Sequence, residues 1–311
     1  MDVLSDVITV ARTGRPRSAY VRWHAPWGQR FAAVPGSAGF QVVLEGSCWL
    51  LPHDGAPLRL DAGDVLFLPH GSGHTLADHF ESEVDAPTCA PNDLELTESY
   101  ASDTVDPTGR NGPVTVVLCG AYRLDPSQAH PFLLTLPELI HLPADPTRYP
   151  ELDAAVRLLA AEVGNPRLGT SATVPALLDT LLMYILRIWL ARQPQAERAT
   201  GWAAALNDPA LTAALHAIHR APAEPWTVAK LAAEAGLSRA AFARRFSALT
   251  GQPPLAYLTW WRMTTAARLL RATDAPLRAI ATQVGYTSEF AFANAFKRTH
   301  GRAPGTYRRK D

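Results

Sequence analysis

The spacing of apolar residues along the chain changes character near residue 149. Before it, short runs such as "QVVLEGSCWLL" and "LRLDAGDVLFLP" carry β-branched and aromatic residues between Gly, Pro and Asp turns. Runs of this kind predict the strands of an antiparallel barrel or sandwich. After it, apolar residues recur at every third and fourth position, which predicts helices. We therefore predict an α+β chain in which the strands come first.

The same pattern predicts three segments. A β domain occupies residues 1–145, a helical connecting segment residues 146–200, and an all-α domain residues 201–311. An acidic stretch over 78–112 is expected to be a long loop, and the polar stretch 193–202 a linker. The apolar run 177–192 of the middle segment is expected either to mediate dimerisation or to pack within its own domain, and the pattern does not distinguish the two.

The last third of the chain contains an internal repeat. Its copies are "WTVAKLAAEAGLSRAAFARRFSALTGQPPLAYL" (226–258) and "APLRAIATQVGYTSEFAFANAFKRTHGRAPGTYR" (275–308). Gly236 and Gly285 occupy the same place in the two copies, where glycine accepts the left-handed conformation of a tight turn. Each copy therefore predicts two helices joined by a tight turn, which is the pattern of a helix-turn-helix motif.

Within each copy, small polar and aromatic residues predict how the second helix is held. Ser238 in the first copy, and Thr287 or Ser288 in the second, can cap that helix. Its buried face is predicted to carry the four residues Phe242, Phe246, Phe292 and Phe296. The opposite face is left for a partner, as in a helix that enters a DNA groove.

Charge separates this repeat from the rest of the chain. The formal net charge is zero, yet residues 221–311 hold 14 Lys or Arg and 5 Asp or Glu, which leaves the remainder acidic. A basic module on an acidic protein indicates a polyanion as partner. The cysteines, Cys48, Cys89 and Cys119, are too few for a disulfide framework, which indicates the cytoplasm.

No membrane partner is expected. The first residues, "MDVLSDVITV", carry acids where a signal peptide would be basic. The most apolar run, 177–192, contains Asp179, Arg187 and Arg192 and is too short and interrupted to span a bilayer.

Residues 209–308 resemble the AraC/XylS family of transcription regulators, most closely in "IATQVGYTSEFAFANAFKRTHGRAPGTYR". The resemblance implies two helix-turn-helix units joined by a long helix, here 254–273. It also implies double-stranded promoter DNA as partner, a homodimer, and RNA polymerase as a further partner. A packing module without DNA would explain the apolar residues, but neither the charge nor the duplicated turns.

The resemblance also assigns roles to exposed positions. In the first recognition helix, Arg239, Ala240, Ala243 and Arg244 are predicted to lie on the face opposite the phenylalanines, and Arg244 is the candidate base contact. In the second, the DNA-binding positions are Ser288, Glu289, Phe290 and Asn294. The candidate phosphate contacts are Arg245, Lys297, Arg298 and Arg302. Arg244 can pair bidentately with guanine, Glu289 can accept from cytosine, and Asn294 can pair with adenine.

The stretch "GDVLFLPHGSGH" (63–74) matches the residue pattern of the second half of a cupin metal site. The whole segment 1–145 resembles the cupin-like sensor domain of one branch of the AraC family. A metal cupin also needs a His-x-His pair on an earlier strand. Residues 39–55 lack that pair, and Gln41 stands where a ligand is expected, although an amide is a poor ligand for iron or zinc. His74 is the remaining candidate.

Three interpretations of His74 follow. It contacts an effector, it binds zinc together with Cys89 or Cys119, or it is a buried histidine bonded to a backbone carbonyl. Cys119 is predicted to be a small buried hydrophobe, and Cys89 an exposed thiol that an oxidant can reach. Gln41, His74, Cys89 and Cys119 are therefore the candidate effector or redox residues, with zinc the candidate cofactor.

Two functions fit these observations. The first is a DNA-binding transcription regulator, not an enzyme, whose cupin-like domain senses a small molecule or an oxidant. The second is a cupin-type metalloenzyme with an attached helical domain. The enzyme needs three or four metal ligands, of which the sequence offers one good candidate, His74.

Overall fold

A computed structural model describes residues 3–84, 86, 88–89, 104–105, 110–124, 130–194 and 200–308 of the chain. It forms two compact units. We call the first the helical unit (Met1–Ala11, Ser127–Thr135 and Gln193–Asp311) and the second the strand unit (Arg12–Pro126 and Leu136–Arg192). Much of the predicted acidic loop and the middle of the predicted linker lie outside the described residues.

The helices are α1 Val3–Ala11, α2 Pro131–Leu134, α3 Pro150–Gly164, α4 Thr170–Arg192, α5 Gly201–Asn207, α6 Pro209–Arg220, α7 Val228–Glu234, α8 Arg239–Thr250, α9 Pro254–Ala272, α10 Leu277–Gln283, α11 Glu289–His300 and α12 Pro304–Arg308. The strands are β1 Arg12–His24, β2 Gly28–Phe31, β3 Ser37–Glu45, β4 Ser47–Pro52, β5 Leu58–Asp61, β6 Val65–Leu68, β7 His74–Ala77, β8 Thr104–Val105, β9 Val114–Leu124 and β10 Ile140–Leu142.

The strand unit is built from two sheets. The larger has the order β10-β6-β3-β9-β1-β8 and the smaller the order β2-β7-β4-β5. All described pairings between these strands are antiparallel except that of β1 with β8. The core contains residues from both sheets, such as Val43 and Val117 of the larger and Leu50 and Leu76 of the smaller. Burial of this apolar surface stabilises the unit.

The stretch 63–74 connects the two sheets. β6 pairs with β3 and β10, whereas β7 pairs with β2 and β4, so the chain changes sheet between Leu68 and His74. Gly71, with φ of 66°, makes this change possible, because a Cβ there would lie 2.1 Å from the carbonyl oxygen of Val34. His74 is thereby placed at the first position of β7.

Helices α3 and α4 pack against each other and against β1 within the strand unit. α4 begins at Thr170, well before the apolar run 177–192, and by its 23 residues and composition it is long and apolar enough to cross a membrane. Core helices of water-soluble proteins pass the same test. Five of its apolar residues are buried inside the unit, namely Leu178, Leu181, Leu182, Ile185 and Leu186. This packing favours the predicted role as a packing helix.

The helical unit contains three helices that the sequence pattern did not predict. The prediction of strands throughout 1–145 was wrong for α1 and α2, and α5 begins inside the stretch predicted as a linker. α1 is rich in β-branched residues, which favour strands in isolation. Val3 and Val7, one helical turn apart, are 2% and 0% exposed. Packing of this apolar face on α6 and α9 therefore stabilises the helix over a strand.

The units divide the chain at other points than the three predicted segments. α1 and α2 group with the C-terminal helices, while α3 and α4 group with the strands. A separate helical segment for dimerisation therefore stays a prediction.

A buried chain of hydrogen bonds ties the distant segments of the helical unit together. The hydroxyl of Tyr257 on α9 lies 2.9 Å from Nε2 of His130 and 2.7 Å from Nε2 of His219. Nδ1 of His219 lies 3.1 Å from the carboxylate of Asp6 on α1. Because Nδ1 of His130 accepts from the backbone N–H of Phe132, its Nε2 carries the hydrogen. The chain then runs from His130 through Tyr257 and His219 to Asp6.

Candidate nucleic-acid interface and ligand cavity

The two repeat copies fold into the same helix-turn-helix geometry. Between α7 and α8 the N–H of Leu237 bonds to the oxygen of Ala232 at 2.9 Å, and between α10 and α11 the N–H of Tyr286 bonds to that of Ala281 at 2.8 Å. The preceding glycine of each turn has a positive φ, 63° and 82°. Both turns thus end the first helix in the same way.

The recognition helices α8 and α11 begin and end alike. The hydroxyls of Ser238 and Ser288 each accept from the N–H three residues on, at 3.3 Å. Gly251 and Gly301 end the helices in the left-handed conformation. The four predicted core phenylalanines are all 0% exposed. Their packing is duplicated as well, with ring centroids 5.5 Å apart in α8 and 5.8 Å apart in α11.

The predicted DNA-binding positions lie on the opposite faces of α8 and α11. All are exposed apart from Ala243, which is half-buried. Phe290 is 77% exposed, although a phenylalanine gains free energy by burial. An exposed aromatic at the start of a recognition helix is available to the methyl group of a thymine.

Arg245 is held differently from its neighbour Arg244. Its Nε lies 2.6 Å from Oδ2 of Asp208, an ion pair without hydrogen-bond alignment. Oδ1 of Asp208 accepts from the N–H groups of Ala210 and Leu211 and so caps α6. The side chain of Asp208 is 5% exposed, so Arg245 neutralises a buried carboxylate. Its predicted phosphate contact competes with this role and stays a prediction.

The strand unit contains a cavity that is partly open to solvent. Strands β1, β3 and β9 form one wall, and β2, β7 and the connection between the sheets form another. Its lining contains all four candidate effector or redox residues, Gln41, His74, Cys89 and Cys119. A concave, mostly apolar surface with a few polar groups is typical of small-molecule sites.

Gln41 and His74 contact each other across this cavity. Nε2 of Gln41 lies 3.2 Å from Nε2 of His74, and Nδ1 of His74 lies 3.4 Å from the carbonyl oxygen of Ser72. The His74 ring stacks on Phe31 with centroids 4.7 Å apart. Burial lowers the pKa of His74 to about 4, so the imidazole is neutral at physiological pH. Of the three interpretations, a buried histidine bonded to a backbone carbonyl matches this geometry.

The cavity residues do not fit a metal centre. The described part of the chain contains no group of three or more His, Cys, Asp or Glu arranged to hold a metal ion. The amide of Gln41 faces one imidazole nitrogen and a carbonyl the other, so neither nitrogen of His74 is free to coordinate. The geometry therefore supports neither zinc at His74 nor the metalloenzyme alternative.

Both cavity cysteines are half-buried, although Cys119 was predicted to be a small buried hydrophobe. Burial raises the pKa of the Cys119 thiol well above its usual value, which keeps it protonated. Cys89 was predicted to be an exposed thiol and is instead half-buried. Its N–H bonds to the oxygen of Arg30 at 2.8 Å, and its oxygen accepts from the N–H of Ala32. This pairing beside β2 places the thiol at the cavity.

Sequence reasoning missed several cavity residues, among them Trp23, Gln29 and Phe31. Gln29 is 1% exposed, and a buried amide inside a strand is a signal of a polar site. The aromatic residues carried no such signal, because aromatic residues are equally expected in an ordinary core.

Comparisons with known proteins match both parts of the chain. A cupin family model matches residues 2–191, and a helix-turn-helix domain model matches residues 231–310. An AraC-like transcription regulator of Streptomyces antibioticus is 36% identical over 310 residues, which cover 99% of each chain. The RCS-specific HTH-type transcriptional activator RclR of Escherichia coli is 29% identical over 290 residues, covering 93% of this chain and 89% of its own.

Among solved structures, the DNA-binding domain of AdpA in complex with a target DNA is 37% identical, covers 32% of this chain and 90% of that chain, and has a TM-score of 0.31. The helical unit and the matching domains define a DNA-binding transcription regulator. The chain belongs to the AraC-like transcription regulators that combine a cupin domain with a helix-turn-helix domain.

Proposed function

We propose that the chain regulates promoters by placing α8 and α11 in the major groove and by binding a small molecule in the cavity of the strand unit. The observation that supports it most is the duplicated helix-turn-helix, whose exposed faces carry basic and hydrogen-bonding residues. In this proposal the protein is a cytoplasmic homodimer without enzymatic activity. RNA polymerase is its partner at activated promoters.

The order of the chain supports a coupling between ligand and DNA. Ser18, Ala19, Val21 and Trp23 of β1 line the cavity, and β1 follows directly on α1, which belongs to the helical unit. A ligand that binds two states of β1 unequally changes the equilibrium between two states of the protein. The DNA affinity then changes by the same coupling free energy.

Selection of DNA fragments by the purified protein from a random library tests the proposal. We expect one enriched operator sequence, and that Arg244→Ala weakens binding to it by about 1–3 kcal/mol and relaxes the choice of one base. Binding is measured by fluorescence anisotropy against operator and random DNA. The absence of an enriched sequence would refute the proposal.

Arg245→Ala is the matched control on the same helix. Its main expected effect is a lower free energy of unfolding, because the buried Asp208 carboxylate loses its cation. Discrimination between operator and random DNA should remain. A loss of discrimination in Arg245→Ala with none in Arg244→Ala would reverse the two assignments.

Detection of an oxidant is the second candidate, since the thiols of Cys89 and Cys119 border one cavity. Intact-mass analysis after hypochlorous acid treatment, with Cys89→Ser as control, tests it. Oxidation that leaves DNA binding unchanged would remove this candidate.

A further inference from the structure

The amide of Gln41 is held in one orientation by the groups around His74. The carbonyl oxygen of Ser72 can only accept, so Nδ1 of His74 carries the ring hydrogen. Nε2 of His74 is then an acceptor, and the group that faces it at 3.2 Å is the amide nitrogen of Gln41. The hydrogen bond runs from Gln41 to His74, and the amide oxygen points elsewhere.

The amide oxygen of Gln41 is left without a hydrogen bond. Gln41 is 4% exposed and lines the cavity, and its Oε1 has no partner among the described residues. A buried acceptor without a donor is unfavourable relative to one that is satisfied. A ligand that brings an N–H or O–H group to this oxygen removes that cost.

The rest of the described lining is uncharged. It contains neither Asp, Glu, Lys nor Arg, and the imidazole of His74 is neutral. The walls are largely aliphatic and aromatic, including Val21, Trp23 and Phe31. An anionic ligand would lose its hydration here without gaining a cation, which is costly.

We propose that this cavity selects uncharged, largely apolar molecules that donate one hydrogen bond to Oε1 of Gln41. The inference rests on the proposed function, because it names the class of effector for that cavity. Gln41 thus replaces a metal ligand by a hydrogen-bond acceptor, and His74 is the residue that positions its amide.

Three probes that share a 4-propylphenyl group test the donor requirement. They are 4-propylphenol, 4-propylanisole, which lacks the donor, and 4-propylbenzoate, which is anionic, each titrated calorimetrically into the full-length protein at pH 7.5. We expect 4-propylphenol to bind about tenfold more tightly than 4-propylanisole, the effect of one buried hydrogen bond. The benzoate should bind most weakly.

Two variants assign the effect to one amide. Gln41→Met keeps the length of the side chain but removes the acceptor. It should lower the affinity for 4-propylphenol to that for 4-propylanisole. Gln29→Met is the matched control, because the buried Gln29 amide also lines the cavity but already donates to the oxygen of Arg30 at 2.9 Å. It should keep the preference for the phenol. Thermal unfolding checks that both variants are folded.

The ranking of the probes on the unaltered protein tests the donor requirement even if Gln41→Met does not fold. Equal affinities for phenol and anisole would overturn the donor requirement, as would a preference for the benzoate or binding of none of the probes. Selection of an operator by the ligand-free protein reports separately on DNA binding. The inference can therefore fail while the DNA-binding function stands.

Discussion

At the scale of single residues, the environment of a side chain determines its chemistry more than its type does. His74 belongs to a motif that holds metals in other cupins, yet here its two nitrogens face an amide and a carbonyl. Arg244 and Arg245 are neighbours in sequence, but only the second lies against the buried carboxylate of Asp208.

The first prediction concerns protonation of His74. Its pKa in the unfolded chain is about 6.5, and burial lowers it to about 4 in the folded protein. The unfolded state therefore binds more protons between these values, and stability falls as the pH is lowered from about 6.5 to 4. The loss from this group is about 3 kcal/mol.

The imidazole resonances followed by NMR should show no titration of His74 above pH 5. His74→Gln should lessen the acid sensitivity of the free energy of unfolding relative to the unaltered protein. A midpoint near 6.5 for His74 would contradict the buried, neutral assignment.

The second prediction compares the two turn glycines. Gly236 and Gly285 both have positive φ, so alanine at either position costs about 1–2 kcal/mol of backbone strain. At Gly236 the new Cβ meets nothing within 4 Å, whereas at Gly285 it would lie 2.9 Å from backbone atoms of Ala223. Denaturant unfolding should show Gly285→Ala as the more destabilising of the two; equal losses would mean that strain alone acts.

At the scale of elements, the long helix α9 organises the helical unit. Arg262 on it donates to the oxygens of Pro222 and Glu224, at 2.7 and 2.8 Å, and so holds the segment between α6 and α7. Tyr257 on the same helix accepts from His130 and donates to His219. α9 therefore does more than join the two helix-turn-helix units, since it also binds segments from the first half of the chain.

Tyr257→Phe tests this role. It removes both hydrogen bonds and leaves two buried imidazole nitrogens without partners, which should lower the free energy of unfolding by about 2–4 kcal/mol. Amide hydrogen exchange in α1 should speed up, because His219 would position Asp6 less firmly. Tyr286→Phe is the control, since Tyr286 is half-buried and packs by its ring on Phe292. A similar effect in both variants would argue against a special role for Tyr257.

At the scale of the whole molecule, charge is divided between the parts of the chain. The last 91 residues hold 14 of the 29 basic residues and only 5 of the 29 acidic ones. Lys297 and Arg298, in the last turn of α11, are exposed. Such a distribution favours contact with a phosphate backbone and an affinity that falls with salt.

Salt dependence tests the phosphate contacts. Lys297→Ala or Arg298→Ala should reduce the slope of log affinity against log salt by about 1, with operator and random DNA affected alike. Glu234→Ala, on the exposed end of α7, should leave the slope unchanged and serves as control. Anisotropy titrations between low and moderate salt measure this slope. Unchanged slopes for both the Lys297 and the Arg298 variants would exclude these residues from the interface.

Much of the DNA-binding half could be predicted because its signals are local. A glycine, a serine cap and a pair of phenylalanines recur in order in each copy, and each determines the conformation of its own few residues. The long helix was predicted over 254–273 and ends one residue earlier. The helices α1, α2 and α5 could not be predicted in this way, because contacts with residues far along the chain stabilise them.

The sequence by itself determined the strand and helix halves, the duplicated helix-turn-helix, the basic module and the absence of a His-x-His pair. Only the tertiary structure decided that Gln41, His74, Cys89 and Cys119 line one cavity, and that Gln41 presents an unpaired oxygen there. The physical reason is range: caps and turns depend on neighbours three or four residues away, whereas a cavity and the direction of its hydrogen bonds depend on strands brought together from across the fold.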